Sequence, residues 1–196
     1  DYVKYLKKLI LQKNIGKIKY ISFQRQNFGP IRNDVSAFLD LATHDLSILR
    51  YLLNGKIVPK KIIKHDILRK NSGDIVFANF ESGLTRIDIN VSWLNPEKVR
   101  KITIITDKKM ILYDEMDLQK PIKIFDNYAS YPKISKYSKS YFSKKVFIYK
   151  GKSRFIKLKD KMPLDSEILS FIQNDKNLAD ITFAEDIIKI TKKLKI

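Results

Sequence analysis

The chain has 196 residues, and 39 Lys+Arg against 21 Asp+Glu give it a formal net charge of +18. Its content of 44% hydrophobic and 11% aromatic residues is enough for a buried core and excludes wholesale disorder. Cysteine is absent, which excludes disulfides, thiolate nucleophiles and cysteine-ligated metals within these residues and fits a reducing, cytoplasmic setting.

The length fits one domain, or one domain plus a fragment. No apolar run approaches the ~18–20 residues that cross a bilayer, so no membrane partner is expected. The cation excess comes from 32 Lys against 7 Arg, scattered beside 29 Ile. Nucleic-acid readers cluster their cations and favour arginine for bidentate contacts. A diffuse Lys/Ile excess reads as a compositional bias, and nucleic acid is not the expected partner.

In chain order, Tyr2, Leu6, Leu9 and Ile10 repeat at near-helical spacing until Asn14 and Gly16 end the pattern. A chain that opens on Asp1, already in helical register, predicts the C-terminal part of a longer protein. A period of two follows and predicts a strand over Lys17–Asn27, then a turn at Phe28-Gly29-Pro30. Asp34 or Ser36 can cap a helix that runs to about Leu53 and stops at Asn54-Gly55. Strands are then predicted at Lys60–Leu68, Asp74–Phe80, Leu84–Trp93, Val99–Thr106, Lys109–Tyr113 and Pro121–Phe125, separated by glycine and proline turns. Asp126–Lys144 reads as a long loop, followed by strands at Val146–Tyr149 and Arg154–Leu158 joined by Lys150-Gly151-Lys152. Two helices, about Leu164–Asn174 and Thr182–Leu194, close the chain. Consecutive strands on short turns pair antiparallel, and segregated helices cover one face. The expected fold is therefore α+β, with a large, mostly antiparallel open sheet and helices on one face. So long a run of Val/Ile/Trp-patterned strands suggests that a partner subunit covers the other face.

The segment from Asp34 to Asp45 carries the candidate chemistry. Asp40 and His44 stand at i and i+4, so on a regular helix they share one face. A carboxylate beside an imidazole orients the ring and favours its charged form, which suits acid–base work near neutral pH. Spacing alone does not separate such a pair from an ordinary surface pair, and a metal site would need a third ligand. Asp45 points elsewhere and reads as a surface or intersubunit residue, while His65 reads as a plain strand residue. There is no Gly-x-Gly-x-x-Gly, no Walker-type loop and no nucleophile elbow.

The run GKIKYISFQRQNFGPIRNDVSAFLDLATHDLSILRYLL resembles the start of the C-terminal domain in Gfo/Idh/MocA oxidoreductases. ESGLTRIDINVSWLNPEKVRKITIITDKKMILYDE is similar to that family's glycine turn, Ser-Trp-Leu strand end and Lys-x-Arg entry to the next strand. YKGKSRFIKLKDKMPLDSEILSFI is similar to its Pro-Leu-x-x-Glu-x-x-x-Phe helix, so the likeness runs over nearly the whole chain. It is nearest to the branch acting on nucleotide sugars and other sugar derivatives.

The resemblance implies half of a two-domain dehydrogenase. Residues 1–15 would be the remnant of a helix linking to an N-terminal Rossmann domain. Residues 16–196 would be the substrate-binding and oligomerisation domain. It further implies NAD or NADP held mainly by that other domain, a sugar or nucleotide-sugar substrate, and a homo-oligomer formed through the open sheet. Asp40 and His44 match the family's Asp-x-x-x-His pair, with His44 as proton donor or acceptor at the sugar hydroxyl. Arg25, Asn27 and Arg32 match polar residues at the pocket entrance, where guanidinium forks suit a diphosphate or carboxylate. The family's Gly-rich fingerprint and Glu-Lys-Pro motif are absent from these residues, so this chain alone is not expected to catalyse. The alternative reading is a basic, non-enzymatic module that binds nucleic acid or another polyanion.

Overall fold

The structure, a computed structural model, describes residues 1–131, 146–159, 163–173 and 181–194. Helix α1 (Tyr2–Ile10) leads to strand β1 (Ile18–Phe28), and a π-helical turn (Phe38–Ala42) runs directly into α2 (Thr43–Leu52). Strands β2 (Val58–His65), β3 (Ile75–Ser82), β4 (Thr85–Ser92), β5 (Leu94–Thr106), β6 (Met110–Asp114) and β7 (Ile122–Phe125) follow in succession. The short strands β8 (Tyr128–Ser130), β9 (Phe147–Tyr149) and β10 (Ser153–Ile156) precede α3 (Pro163–Ile172) and α4 (Ile181–Lys193).

Eight strands form one sheet in the order β10-β7-β6-β5-β1-β4-β3-β2. Every neighbouring pair in it is antiparallel except β1 with β4, which is parallel. The parallel pair arises because β1 is followed by the helical segment, which returns the chain to the far edge. The β2–β3–β4 meander then works back toward β1. The expected α+β class, with a large and mostly antiparallel sheet, is the architecture observed.

One face of the sheet carries the core. Ile21 and Phe23 of β1, Ile87 and Ile89 of β4, and Ile102 and Ile104 of β5 alternate inward and are buried. They meet Leu46, Leu49 and Leu52 of α2, Leu6 and Leu9 of α1, and Ile187 and Ile190 of α4. Helix α1 therefore belongs to the same core as the sheet. Lys7 Nζ donates to the carbonyl of Leu52 at 2.9 Å, and the Tyr2 ring stacks on Tyr113 at 5.7 Å. The loop after α1 turns at Gly16 with φ +89, where a Cβ would meet Asp107 Oδ1 at 2.0 Å. Only glycine suits that conformation and that space.

The opposite face is mixed. Tyr20 and Asn79 both donate to Asp88, at 2.7 Å each, while Ile63 and Phe77 lie partly exposed beside them. Trp93, at the end of the predicted strand Leu84–Trp93, is fully buried on the helix side. The strands at the end of the sequence also differ from expectation. β9 pairs with β8 in a separate two-stranded sheet, and β10 pairs with β7 at the edge of the large one, so Lys150-Gly151-Lys152 joins two sheets rather than a hairpin. β8 falls inside the stretch read as loop, and the remainder of that stretch, 132–144, lies outside the described residues.

Candidate functional site

The helix expected from Asp34 or Ser36 begins at Ser36, whose Oγ accepts the Leu39 N–H at 3.4 Å. Asp34 is occupied elsewhere, holding Arg32 through Nε at 3.0 Å and Nη2 at 2.6 Å. That guanidinium holds the Asp34 carboxyl below the usual carboxylate range. The first turn after the cap is π-helical, a form that recurs as single turns at functional sites. Its wider winding changes where Asp40 points relative to His44. Asp40 Oδ2 accepts the indole Nε1–H of Trp93 at 3.0 Å, and Oδ1 lies 3.7 Å from Arg32 Nη1. Among the described residues no hydrogen bond joins Asp40 to His44, which stands exposed at the start of α2. The carboxylate is thus anchored by a buried indole and a rim arginine, and the imidazole is left free to meet a ligand.

A cleft of about 470 Å³ opens beside this turn. Asp40 and Leu41 form one wall, the end of β1 from Asn27 to Pro30 another, and Lys98 and Arg100 of β5 the third. Gly29 shapes the β1 wall with φ +64, and its N–H donates to the Trp93 carbonyl at 2.9 Å. Asn27 Nδ2 donates to the Gly29 carbonyl, and its Oδ1 accepts from Arg100 Nη2 at 2.6 Å.

Beneath the cleft lies a buried charge cluster. Arg25 and Arg100 are direct cross-strand partners on β1 and β5. Like charges so placed repel, and Asp45 of α2 offsets this by pairing with Arg25. Arg25 donates to Asp45 Oδ1 from Nε at 2.9 Å and from Nη2 at 2.8 Å, whereas buried Oδ2 has no partner. Asp45 is 2% exposed, so its expected surface or intersubunit position is corrected. Burial pushes its carboxyl above the ordinary range, and Arg25 pulls it part of the way back. Burial, with Arg25 adding to it, pushes the Arg100 guanidinium down.

The structure therefore brings Asn27 and Asp40 into one cleft, sets Arg32 on its rim, places His44 further along the helix, and puts Arg25 underneath as the partner of Asp45. Lys98, Arg100, Asp45 and Trp93 complete the site, although sequence reasoning gave none of them a role in it. Lys98, Arg100 and Trp93 do sit in the motifs that carried the family resemblance. Replacing Trp93 by Phe should preserve most of the packing but remove the donor to Asp40. Hydrogen bonds to charged groups contribute about 1.5–3 kcal/mol, so denaturant unfolding should show a loss of about 2 kcal/mol. A loss under about 0.5 kcal/mol would show that the indole does not anchor the carboxylate.

Among the described residues no group of three or more His, Asp or Glu is placed to hold a metal, and no helix is long and apolar enough to cross a membrane. No protein-family model and no curated protein matches the sequence.

Solved structures do share the fold. UDP-N-acetylglucosamine 3-dehydrogenase GnnA from Acidithiobacillus ferrooxidans superposes with a TM-score of 0.69 at 15% identity, over 98% of this chain and 56% of its own. The dehydrogenase MviM from Clostridium difficile gives 0.63 at 14% identity, over 98% and 56%. The WlbA dehydrogenase from Bordetella pertussis, solved in complex with NADH and UDP-GlcNAcA, gives 0.51 at 21% identity, over 57% of this chain and 37% of its own. The fold is thus shared with part of these dehydrogenases, and the chain spans about half the length of the GnnA and MviM structures.

Proposed function

We propose that this chain is the substrate-binding and oligomerisation half of an NAD(P)-dependent oxidoreductase acting on a sugar or nucleotide sugar. The observation that carries the reading is the anchored Asp40 in an open cleft, with the exposed imidazole of His44 further along the same helical segment. The fold shared with sugar-nucleotide dehydrogenases supports it.

The residues present do not fit the dinucleotide itself, since no glycine-rich phosphate loop occurs among them. A nicotinamide held by a preceding domain would exchange the hydride. Residues 1–15 would join that domain to residues 16–196. This chain's share is to bind and orient the sugar and to move a proton. When a carbinol becomes a carbonyl its hydroxyl proton must leave, and His44 Nε2 or Nδ1 is the group proposed to take it. Asp40, held by Trp93 and Arg32, is proposed as a fixed hydrogen-bond acceptor for a sugar hydroxyl.

Coenzyme reduction by the full-length protein, followed with UDP-sugars and simple sugars in turn, tests the reading. Turnover on at least one of them is expected. No turnover on any, together with sub-micromolar, sequence-selective DNA binding at physiological salt, would replace it with the basic-module reading.

The mixed open face of the sheet, with Ile63 and Phe77 partly exposed beside the Asp88 network, is proposed as the oligomer contact. Sedimentation at micromolar concentration should show a dimer or larger species. A species no heavier than the monomer, 23.0 kDa for this chain, would overturn that assignment.

A further inference from the structure

We infer that the corner of the cleft formed by Lys98, Arg100 and Asn27, with Phe28 at its mouth, is a nucleoside-diphosphate site, so that phosphate recognition belongs to β5 and not to Arg25 or Arg32. This deepens the proposed function and rests on that reading. Of the four arginines near the cleft and the two nearest lysines, two arginines are already neutralised. Arg25 donates twice to buried Asp45, and Arg32 is forked onto Asp34. Arg69, beyond the rim, is bound to Asn33 Oδ1 and to the Arg32 carbonyl. Lys101 points to the other face and pairs with Asp114 at 3.3 Å.

Arg100 is different. Its Nη1 donates to the carbonyls of Gln26 and Val99, both at 2.9 Å, and Nη2 to Asn27 Oδ1 at 2.6 Å. All three acceptors are neutral, and although Glu115 and Asp45 act on the guanidinium through space, neither is paired with it among the described residues. Nε–H and one Nη2–H remain without a partner among the described residues. Lys98, two residues before it on β5, is exposed and has no carboxylate within ion-pair distance among the described residues. A preordered arginine beside an exposed lysine is a pairing suited to a multiply charged phosphate group. The one carboxylate lining the cleft, Asp40, is held away by Trp93 and Arg32. Phe28, 74% exposed on the adjoining wall, offers a flat ring to a base. Cation pair, ring and Asp40 thus line one cleft of about 470 Å³, with phosphates, base and sugar each given a wall.

Calorimetric titration of the full-length protein without coenzyme, using UDP, uridine and inorganic pyrophosphate as separate probes, tests the site. UDP should bind more tightly than either of the others. Lys98→Ala should weaken UDP and pyrophosphate by about tenfold or more, because a charge-assisted contact is lost. Phe28→Ala should weaken UDP by about tenfold and leave pyrophosphate nearly unchanged. Arg100→Lys, checked for native unfolding behaviour, should weaken both phosphate probes. Arg32→Ala, which also loosens Asp40, should weaken UDP by less than Lys98→Ala does, whereas a loss as large as that of Lys98→Ala would put the phosphate on the rim arginine and overturn the inference. Absence of UDP binding at millimolar concentration, or binding indifferent to Lys98→Ala, would also overturn it. If UDP binding requires Lys98 but no sugar is oxidised, the site stands and the oxidoreductase reading falls. If phosphate-free sugars turn over and UDP does not bind, the reading stands and the site falls.

Discussion

His44→Ala in the full-length protein is expected to lower turnover by about 10²–10⁴-fold, the usual contribution of a general acid–base group. Coenzyme affinity should stay nearly unchanged, since the proposed role of the imidazole is at the sugar hydroxyl and not at the dinucleotide. The expectation rests on the exposed position of His44 beyond the cleft and on the lack of any competing hydrogen bond to its ring among the described residues. Asp40→Asn should cost less, because an amide can still accept from Trp93 while the negative charge is lost. Steady-state kinetics on the accepted substrates decide the matter. Wild-type turnover by His44→Ala on every one of them would reduce His44 to a packing residue.

The second large effect concerns stability. Arg25→Ala should destabilise the fold by about 3–5 kcal/mol, because it leaves the buried Asp45 carboxylate without the one ion-pair partner it has among the described residues. Adding Asp45→Asn to that variant should recover much of the loss, since the uncompensated charge goes with it. The pH dependence has a definite sign. The folded-state pKa of Asp45 already lies above its ordinary value of 3.8, and losing Arg25 raises it further. A raised carboxyl favours the fold fully below 3.8, and that support is lost as pH climbs through the folded value. The deficit of Arg25→Ala should therefore be larger at pH 7 than at pH 4. Urea unfolding at both pH values measures it. A loss below about 0.5 kcal/mol at neutral pH would show that Asp45 does not depend on Arg25.

Much of this fold was legible in the chain because strands advertise themselves locally. Ile87, Ile89 and Val91 alternate with polar residues, and Glu81-Ser82-Gly83 marks the turn before them, so β3 and β4 could be read with their hairpin. The helix cap at Ser36 and the Asp40–His44 spacing were equally local. The π turn was not, since a shift of hydrogen-bond register leaves FLDLATHDL with the same residue types as an α-helix. Nor was the charge cluster. Arg25 and Arg100 lie far apart in the chain and face each other only once β1 and β5 pair. Asp45 reads as a solvated acid until α2 is laid over that pair. The separate destinations of β9 and β10 likewise depend on which edges are free, β8 for one and β7 for the other.

The central claim is that this chain presents a sugar carbinol for oxidation, and isotope transfer tests it most directly. The full-length protein would be incubated with NAD⁺ or NADP⁺ and UDP-N-acetylglucosamine deuterated at its ring carbinol carbons, and the recovered coenzyme analysed by mass spectrometry. The account predicts deuterium in the reduced nicotinamide, abolished or strongly slowed in His44→Ala. Coenzyme that stays unlabelled with this and every other deuterated sugar or nucleotide sugar offered, while wild-type protein binds those ligands, would contradict it.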